Sequence, residues 1–287
     1  MANLKVLRQR IQSIKSTKKI TSAMKLIATS HFKKLQKNYL SSCNYSQGIY
    51  DCLKTVLEYK DLDHDLPPLL QPRSTSKELR IILGSDRGLC GGFNFSLVKH
   101  ALHQEISDNT SFLCLGEKIP GLIPPSMKES VLNVLPMQNK ATYKEGLNLA
   151  YFLEHQIVSG QFDCISIAYN RFRSILCYTP TLHRLIPFNG TLKVETKPLI
   201  ENRWVFDVEP DVPSLLKTLA IKNLAAQITH ACIESHMSEQ SARMMAMDAS
   251  TRSAEDMLER LETTYHRSRQ TMITSELIEI IAGSESL

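Results

Sequence analysis

The sequence predicts an α/β sheet domain inserted between two long terminal helices that pair antiparallel as a coiled coil. Three observations carry this. Sixty-nine consecutive residues, Ser214 to Ala282, contain neither glycine nor proline, and residues 3–47 lack both as well. Between these stretches, short apolar runs bounded by glycine and polar residues alternate with helical segments, the pattern of strands and crossover helices in an α/β sheet.

The amino-terminal helix rests on Leu4, Leu7, Ile11 and Ile14, whose 3,4 spacing makes one apolar stripe. The stripe continues through Thr21, Met24, Ala28, Phe32, Leu35 and Tyr39. About 45 residues of helix are expected, some 68 Å at ~1.5 Å per residue. Gly48, the acidic cluster at 61–65, Pro67-Pro68 and the polar segment 72–77 are expected to end it, with a further piece of helix over 51–58.

After this break the period changes. Strands are expected at 79–84, 111–115, 131–135, 163–169 and 175–185, with helices from the glycine-rich turn to 106 and over 141–158. Asp211 is placed to cap the long carboxy-terminal helix, and Pro213 falls in its first turn. Within that helix Leu224, Ile228, Ala231, Ser235, Ser238, Ala242, Met245 and Ala249 form a heptad seam of mostly small side chains. Small seam residues allow close backbone approach, so this seam is read as the contact with the amino-terminal helix. Both helices join the sheet domain at their inner ends, which makes the pairing antiparallel. The longer helix then has an unpartnered end, expected from about residue 260 to 282, bearing Leu261, Tyr265, Met272, Ile273, Leu277, Ile278, Ile280 and Ile281. Large apolar side chains on an unpartnered helix imply a second protein that encloses it. The alternative is a break near 250–253 and a return to an ordinary core.

Charge is distributed unevenly. The first fifty residues carry ten Lys/Arg and no Asp or Glu, whereas 51–213 carry seventeen basic and nineteen acidic, and 214–287 seven and ten. An acid-free basic block implies an acidic partner (nucleic acid, an anionic membrane or an acidic protein surface) unless it is only a solvated face. It also has the character of a mitochondrial transit peptide, but the helical pattern runs past presequence length unchanged. Seven cysteines are scattered with no CxxC pair and do not cluster with the nine histidines, so neither a disulfide framework nor a zinc site is expected. No apolar run reaches membrane-spanning length.

The turn Gly88-Leu89-Cys90-Gly91-Gly92-Phe93-Asn94 stands where a phosphate-binding loop would. It is Gly-x-x-Gly-Gly, neither GxGxxG nor a Walker loop, and a tight turn requiring positive φ is the better reading. Asp86-Arg87 beside it reads either as a local ion pair or as a contact point for a partner. No hydrolase, zinc-protease or paired-carboxylate motif occurs, so no catalytic residues, cofactor or metal are expected. Aromatics are not interleaved with the basic residues of the first helix, which disfavours single-stranded nucleic acid. Arg267, Arg269 and Gln270 lie in the unpartnered segment, where a guanidinium suits bidentate contact with a carboxylate of an enclosing subunit.

Five segments carry a family resemblance: Leu4-Lys5-x-Leu7-Arg8-x-Arg10-Ile11-x-Ser13-Ile14-Lys15-x-Thr17-x-Lys19-Ile20-Thr21-x-Ala23-Met24-Lys25, Ser85 to Asn94, Tyr169-Asn170-Arg171-Phe172, Ser241 to Ala249, and Tyr265 to Gly283. Together they span essentially the whole chain and resemble the gamma subunit of F-type ATP synthase. The resemblance implies an antiparallel coiled coil of residues 1–60 with 211–284 flanking a Rossmann-like domain, 76–207, that binds no nucleotide. It implies a non-catalytic rotor shaft turning inside a ring of alpha and beta subunits and standing on the membrane c-ring with an epsilon or delta subunit. The chain would be peripheral to the membrane, and the lack of a presequence before Leu4 is read as favouring the cytoplasmic face of a bacterial inner membrane. Met24, Lys25, Arg87, Lys99, Arg269 and Gln270 fall where the family contacts its catalytic ring; Arg243, Thr274 and Glu276 fall where it couples its helices or transmits torque. Lys18 stands where Gln is common, Ser30-His31 where Ala-Lys is usual, and Ser275 where Gln is usual.

Overall fold

A computed structural model of the chain describes residues 4–58, 66–71, 76–104, 109–137, 142–188, 209 and 211–285. The acidic cluster at 61–65, most of the polar segment 72–77 and the end of the expected sheet domain, 189–207, lie outside the described residues. In order, the main elements are α1 (Leu4–Glu58), β1 (Glu78–Leu83), α2 (Phe93–His103), β2 (Thr110–Leu115), β3 (Val131–Leu135), α3 (Tyr143–Val158), β4 (Cys164–Ser174), β5 (Cys177–Ile186) and α4 (Val212–Glu285). Two compact units result, Met1–Ser30 with Arg243–Leu287, and His31–Ala242.

The sheet lies in the second unit, with strand order β3-β2-β1-β4-β5. β1 pairs in parallel with both β2 and β4, β2 pairs in parallel with β3, and β4 and β5 form an antiparallel hairpin. Period-two alternation builds a core on each face. Leu79, Ile81, Leu83, Leu113, Leu115, Ile165 and Ile167 meet Leu153 and Ile157 of α3, Leu53 of α1, and Leu216, Leu224 and Ile228 of α4. Ile82, Phe112, Cys114 and Ala168 meet Leu97, Val98 and Ala101 of α2 on the other side. Arg80 is on that face too and only 2% exposed; its guanidinium donates to both carboxylate oxygens of Glu78, at 3.1 and 2.8 Å, and to the Ala101 carbonyl at 2.6 Å. A buried charge fully used in this way avoids the desolvation penalty of an isolated one.

Two expectations are corrected here. Gly48 does not end the first helix: α1 is continuous for 55 residues. A glycine in a helix interior costs about 1 kcal/mol, whereas Leu53, fully buried one turn later, contributes roughly 1.5–3 kcal/mol. Packing therefore carries the helix through. The seam from Leu224 to Ala242 does not face α1. Leu224, Ile228 and Ala231 join the sheet core, Ser235 donates to the Leu83 carbonyl at 3.1 Å, Ser238 donates to the Asn170 carbonyl at 2.9 Å, and Ala242 packs on Cys90 and Phe93. Met245 and Ala249 are exposed. Small residues suit that face because the helix runs close against the backbone of β1 and β4, where serine hydroxyls bond the Leu83 and Asn170 carbonyls.

The long helix itself is as expected and does not break at 250–253. Asp211 caps it, its Oδ1 accepting from the Ser214 N–H at 2.8 Å. Against α3, Gly146 allows an approach so close that a Cβ there would meet Thr229 Oγ1 at 2.1 Å and the Ala225 carbonyl at 3.0 Å.

In the first unit the expected stripe of α1 faces inward, with Leu7, Thr21 and Ala28 buried and Leu4, Ile11, Ile14 and Met24 half-buried. The facing positions of α4 are Met247, Thr251, Ala254, Leu258, Leu261, Tyr265 and Ser268, again at 3,4 spacing. Contacts run antiparallel: Lys25 Nζ lies 2.6 Å from Asp248, Thr21 Oγ1 2.8 Å from Thr251 Oγ1, Lys18 3.0 Å from Glu255 and Lys15 2.8 Å from Glu262.

Gly146→Ala should lower the stability of the sheet unit by about 1–3 kcal/mol, read as a melting temperature several degrees lower with an unchanged helix signal. The Lys25 and Lys15 ammonium groups hold the Asp248 and Glu262 carboxyls below the ordinary carboxylate range. Depressed folded-state values contribute stability above the unfolded pKa that is lost as pH falls through the folded one. Acidification below about pH 4 should therefore speed hydrogen exchange over residues 15–25 and 248–262 and leave β1 and β2 protected.

Candidate functional site

Above the last half-buried seam residue, Ser268, every side chain of α4 from Arg269 to Ala282 is exposed. Ile273, Leu277, Ile280 and Ile281 follow helical spacing and are 45–68% exposed, with Met272 and Ile278 beside them. The unpartnered end thus starts about nine residues later than expected, because the ten extra residues of α1 extend the pairing. Leu261 and Tyr265 belong to the paired part. Arg269, Gln270, Thr274 and Glu276 are all exposed on this tip, where Thr274 Oγ1 donates to the Gln270 carbonyl at 2.9 Å.

The other expected site residues are spread out. Met24 is half-buried on the inner face of α1, and Lys25 beside it is engaged by Asp248, which Arg252 also contacts at 2.7 Å. Arg87 is exposed in the turn after β1 and Lys99 is exposed on α2, whereas Arg243 is only 8% exposed. Lys18, a departure from the family pattern, has a partner in Glu255, while His31 and Ser275 are exposed. The three lysines answered by Asp248, Glu255 and Glu262 show that part of the basic block is met within the chain. The seven-residue spacing of those acids was a legible signal that the sequence reading passed over.

The glycine-rich turn is closed by its own side chains. Leu89 and Gly91 have φ of 64° and 60°, so the expected positive φ is present, although Gly88 and Gly92 do not require it. Asn94 accepts from the Ser85 N–H at 3.0 Å and donates to the Ser85 hydroxyl at 2.7 Å, which in turn donates to the Arg87 carbonyl at 2.8 Å. Asp86 Oδ1 accepts from the N–H groups of Met137 and Glu117 at 2.8 and 3.2 Å, joining the loops that follow β2 and β3. Asp86 is a loop clamp.

A buried polar cluster went unnoticed in the sequence. Glu234 of α4, 1% exposed, accepts from the Phe172 N–H at 3.1 Å, with Arg171 Nε at 3.9 Å and His230 Nε2 at 3.6 Å. His230 stacks on Tyr39 of α1 with ring centroids 5.3 Å apart, and its Nδ1 lies 3.1 Å from the Ser42 hydroxyl. Burial pushes the Glu234 carboxyl up against the opposing pull of Arg171, and burial with Arg171 holds His230 below its ordinary value. Burial, aided by Glu234, pushes Tyr39 up to about 12. Among the described residues no group of three His, Cys, Asp or Glu could hold a metal ion, and no helix is long and apolar enough to cross a membrane.

Comparison with known proteins bears on what this geometry serves. Residues 3–287 match the family described as ATP synthase. The chain is 35% identical to the ATP synthase gamma chain of Pelagibacter ubique (strain HTCC1062) over all of both chains, and 34% identical to that of Trichlorobacter lovleyi over 100% of this chain and 99% of the relative. In fold it is similar to a chain of the Euglena gracilis mitochondrial ATP synthase OSCP/F1/c-ring structure, with TM-score 0.69 at 15% identity over 99% of this chain and 94% of that one. It is also similar to a chain of the Tetrahymena thermophila central stalk and c-ring structure, with TM-score 0.60 at 22% identity over 80% and 98%. The chain belongs to the ATP synthase gamma chain family, the non-catalytic central stalk of F-type ATP synthase.

Proposed function

We propose that this chain is the rotor shaft of a proton-translocating ATP synthase, with α1 and α4, residues 1–60 and 211–284, as the shaft and residues 76–207 as a domain standing on the membrane c-ring beside an epsilon or delta subunit. The observation that carries it is the α4 tip, where exposed isoleucine, leucine and methionine side chains continue past the end of the helix pair. Such a surface is tolerated in water only when another protein encloses it, and a ring of alpha and beta subunits is that sleeve. In this reading the chain is peripheral to the membrane, on the cytoplasmic face of a bacterial inner membrane.

Coupling is linkage. An asymmetric shaft in a threefold ring touches each catalytic subunit differently, so each angle favours a different conformation at each site, and reciprocity lets hydrolysis drive the shaft backwards. Met24, Lys25, Arg87, Lys99, Arg269 and Gln270 contact the ring; Arg243, Thr274 and Glu276 couple the helices or carry torque. Lys15, Lys18 and Lys25, paired with α4 carboxylates, reduce the charge left for phosphates, though most of the basic block is not involved in these pairs. Ser85, Asn94 and Asp86 filling the turn weigh against a nucleotide-binding regulator.

The chain should co-purify with an alpha/beta hexamer; recovery of the chain without one overturns the proposal. In that complex, Arg269→Ala combined with Gln270→Ala should lower coupled ATP synthesis severalfold while the sheet unit melts unchanged, and unaltered synthesis would remove both residues from the mechanism.

A further inference from the structure

The sheet unit contains one polar assembly that neither the exposed tip nor the ring contacts explain. Three elements converge on the Glu234 carboxylate. From β4, the Phe172 N–H donates to Oε1 at 3.1 Å and Arg171 approaches it at 3.9 Å. The Tyr169 hydroxyl and the Arg173 charge also act on it electrostatically. From α4 itself, His230 lies 3.6 Å from Oε2, one turn away. From α1, Tyr39 stacks on that imidazole, Ser42 meets its Nδ1 at 3.1 Å, and Cys43 lies 3.9 Å from it. Phe32 of α1 also packs on Phe172 with ring centroids 5.7 Å apart, so the backbone that Glu234 grips is the strand segment on which α1 rests.

A carboxylate only 1% exposed is costly to bury, and an apolar residue of similar volume would fill the place with less penalty. Its presence is accounted for by what leucine cannot do: it accepts a directional hydrogen bond from the Phe172 N–H and offers a charge to Arg171 at 3.9 Å and to His230 at 3.6 Å. The neighbouring Ser235 and Ser238 bind strand carbonyls and so tie α4 to the sheet alone. Glu234 reaches, through His230, the third element.

We infer that Glu234 is a positioning residue that fastens α1 and α4 to β4 as one joint, across which torque passes between the sheet and the helices. The torque part rests on the shaft reading above; the joint does not. The full chain tests the joint directly by hydrogen exchange. Glu234→Ala should speed exchange roughly 10- to 100-fold, the equivalent of one lost hydrogen bond to a charged group, over residues 32–43 and 169–174 together, with β1 and β2 unchanged. Glu234→Gln keeps an acceptor for the Phe172 N–H and removes the carboxylate beside His230, so residues 169–174 should stay protected while exchange over residues 32–43 speeds. In the assembled synthase, Glu234→Ala should lower protons pumped per ATP hydrolysed severalfold, with Glu234→Gln intermediate.

Unchanged exchange in Glu234→Ala, or acceleration spread evenly over the whole sheet, overturns the joint. If Glu234→Ala does not fold, unchanged exchange over residues 32–43 in Glu234→Gln overturns it instead. Local acceleration with full pumping overturns the torque role and leaves the joint. A parent complex that hydrolyses ATP without pumping defeats the shaft reading, while the exchange result still decides the joint.

Discussion

The face of α4 from Leu216 to Ala242 has to meet both apolar side chains of the sheet and backbone carbonyls of β1 and β4, and most of the second unit is arranged to let it. Apolar residues at Leu224 and Ile228 enter the core, but further along serine replaces them, because the Leu83 and Asn170 carbonyls would otherwise be buried without donors. An unsatisfied buried carbonyl costs on the order of 1–3 kcal/mol. The small side chains therefore set both how near the helix lies and what it can bond to. Gly146 in α3 meets the same demand from the other side, where the Ala225 carbonyl and Thr229 leave no room for a methyl group.

In the first unit a different balance operates. The seam there is narrow and partly polar, with a Thr21–Thr251 hydrogen bond at its centre and lysine–carboxylate pairs flanking it. Exposed ion pairs contribute little to stability. They do discriminate between registers, since sliding one helix by a turn would bring Lys18 away from Glu255 and leave both threonines facing apolar neighbours. Stability comes from Leu7, Ala28 and Leu258, and alignment from the polar pairs.

Much of this was readable in the sequence. The α1 stripe, the Asp211 cap, the five strands and the unbroken α4 follow from periodicity and from the distribution of glycine and proline. The seam assignment in α4 failed for a definite reason. Heptad spacing states that one face is buried and not by what, and small residues suit a strand end as well as a second helix. Gly48 is a weak stop signal because local propensity is worth about 1 kcal/mol, less than the burial of Leu53 beyond it. The nine site residues carried over by resemblance are distributed over the α4 tip, the middle of α4 at Arg243, α1, the turn after β1 and α2, so spacing alone does not group them. The Glu234 cluster was illegible because its members come from positions 39, 42, 169–172 and 230–234, and only the fold brings them together.

The Asp86 carboxylate has an implication for how this α/β topology is used. Open parallel sheets take their ligands in the crevice beyond the strand carboxyl ends, and here that crevice holds a negative charge bound to the N–H groups of Glu117 and Met137. Backbone donors of the kind that would cradle a phosphate are already spoken for, and an incoming anion would meet repulsion. At this edge of the sheet the Asp86 side chain stands where an anionic ligand would, and it ties the loops after β2 and β3 together.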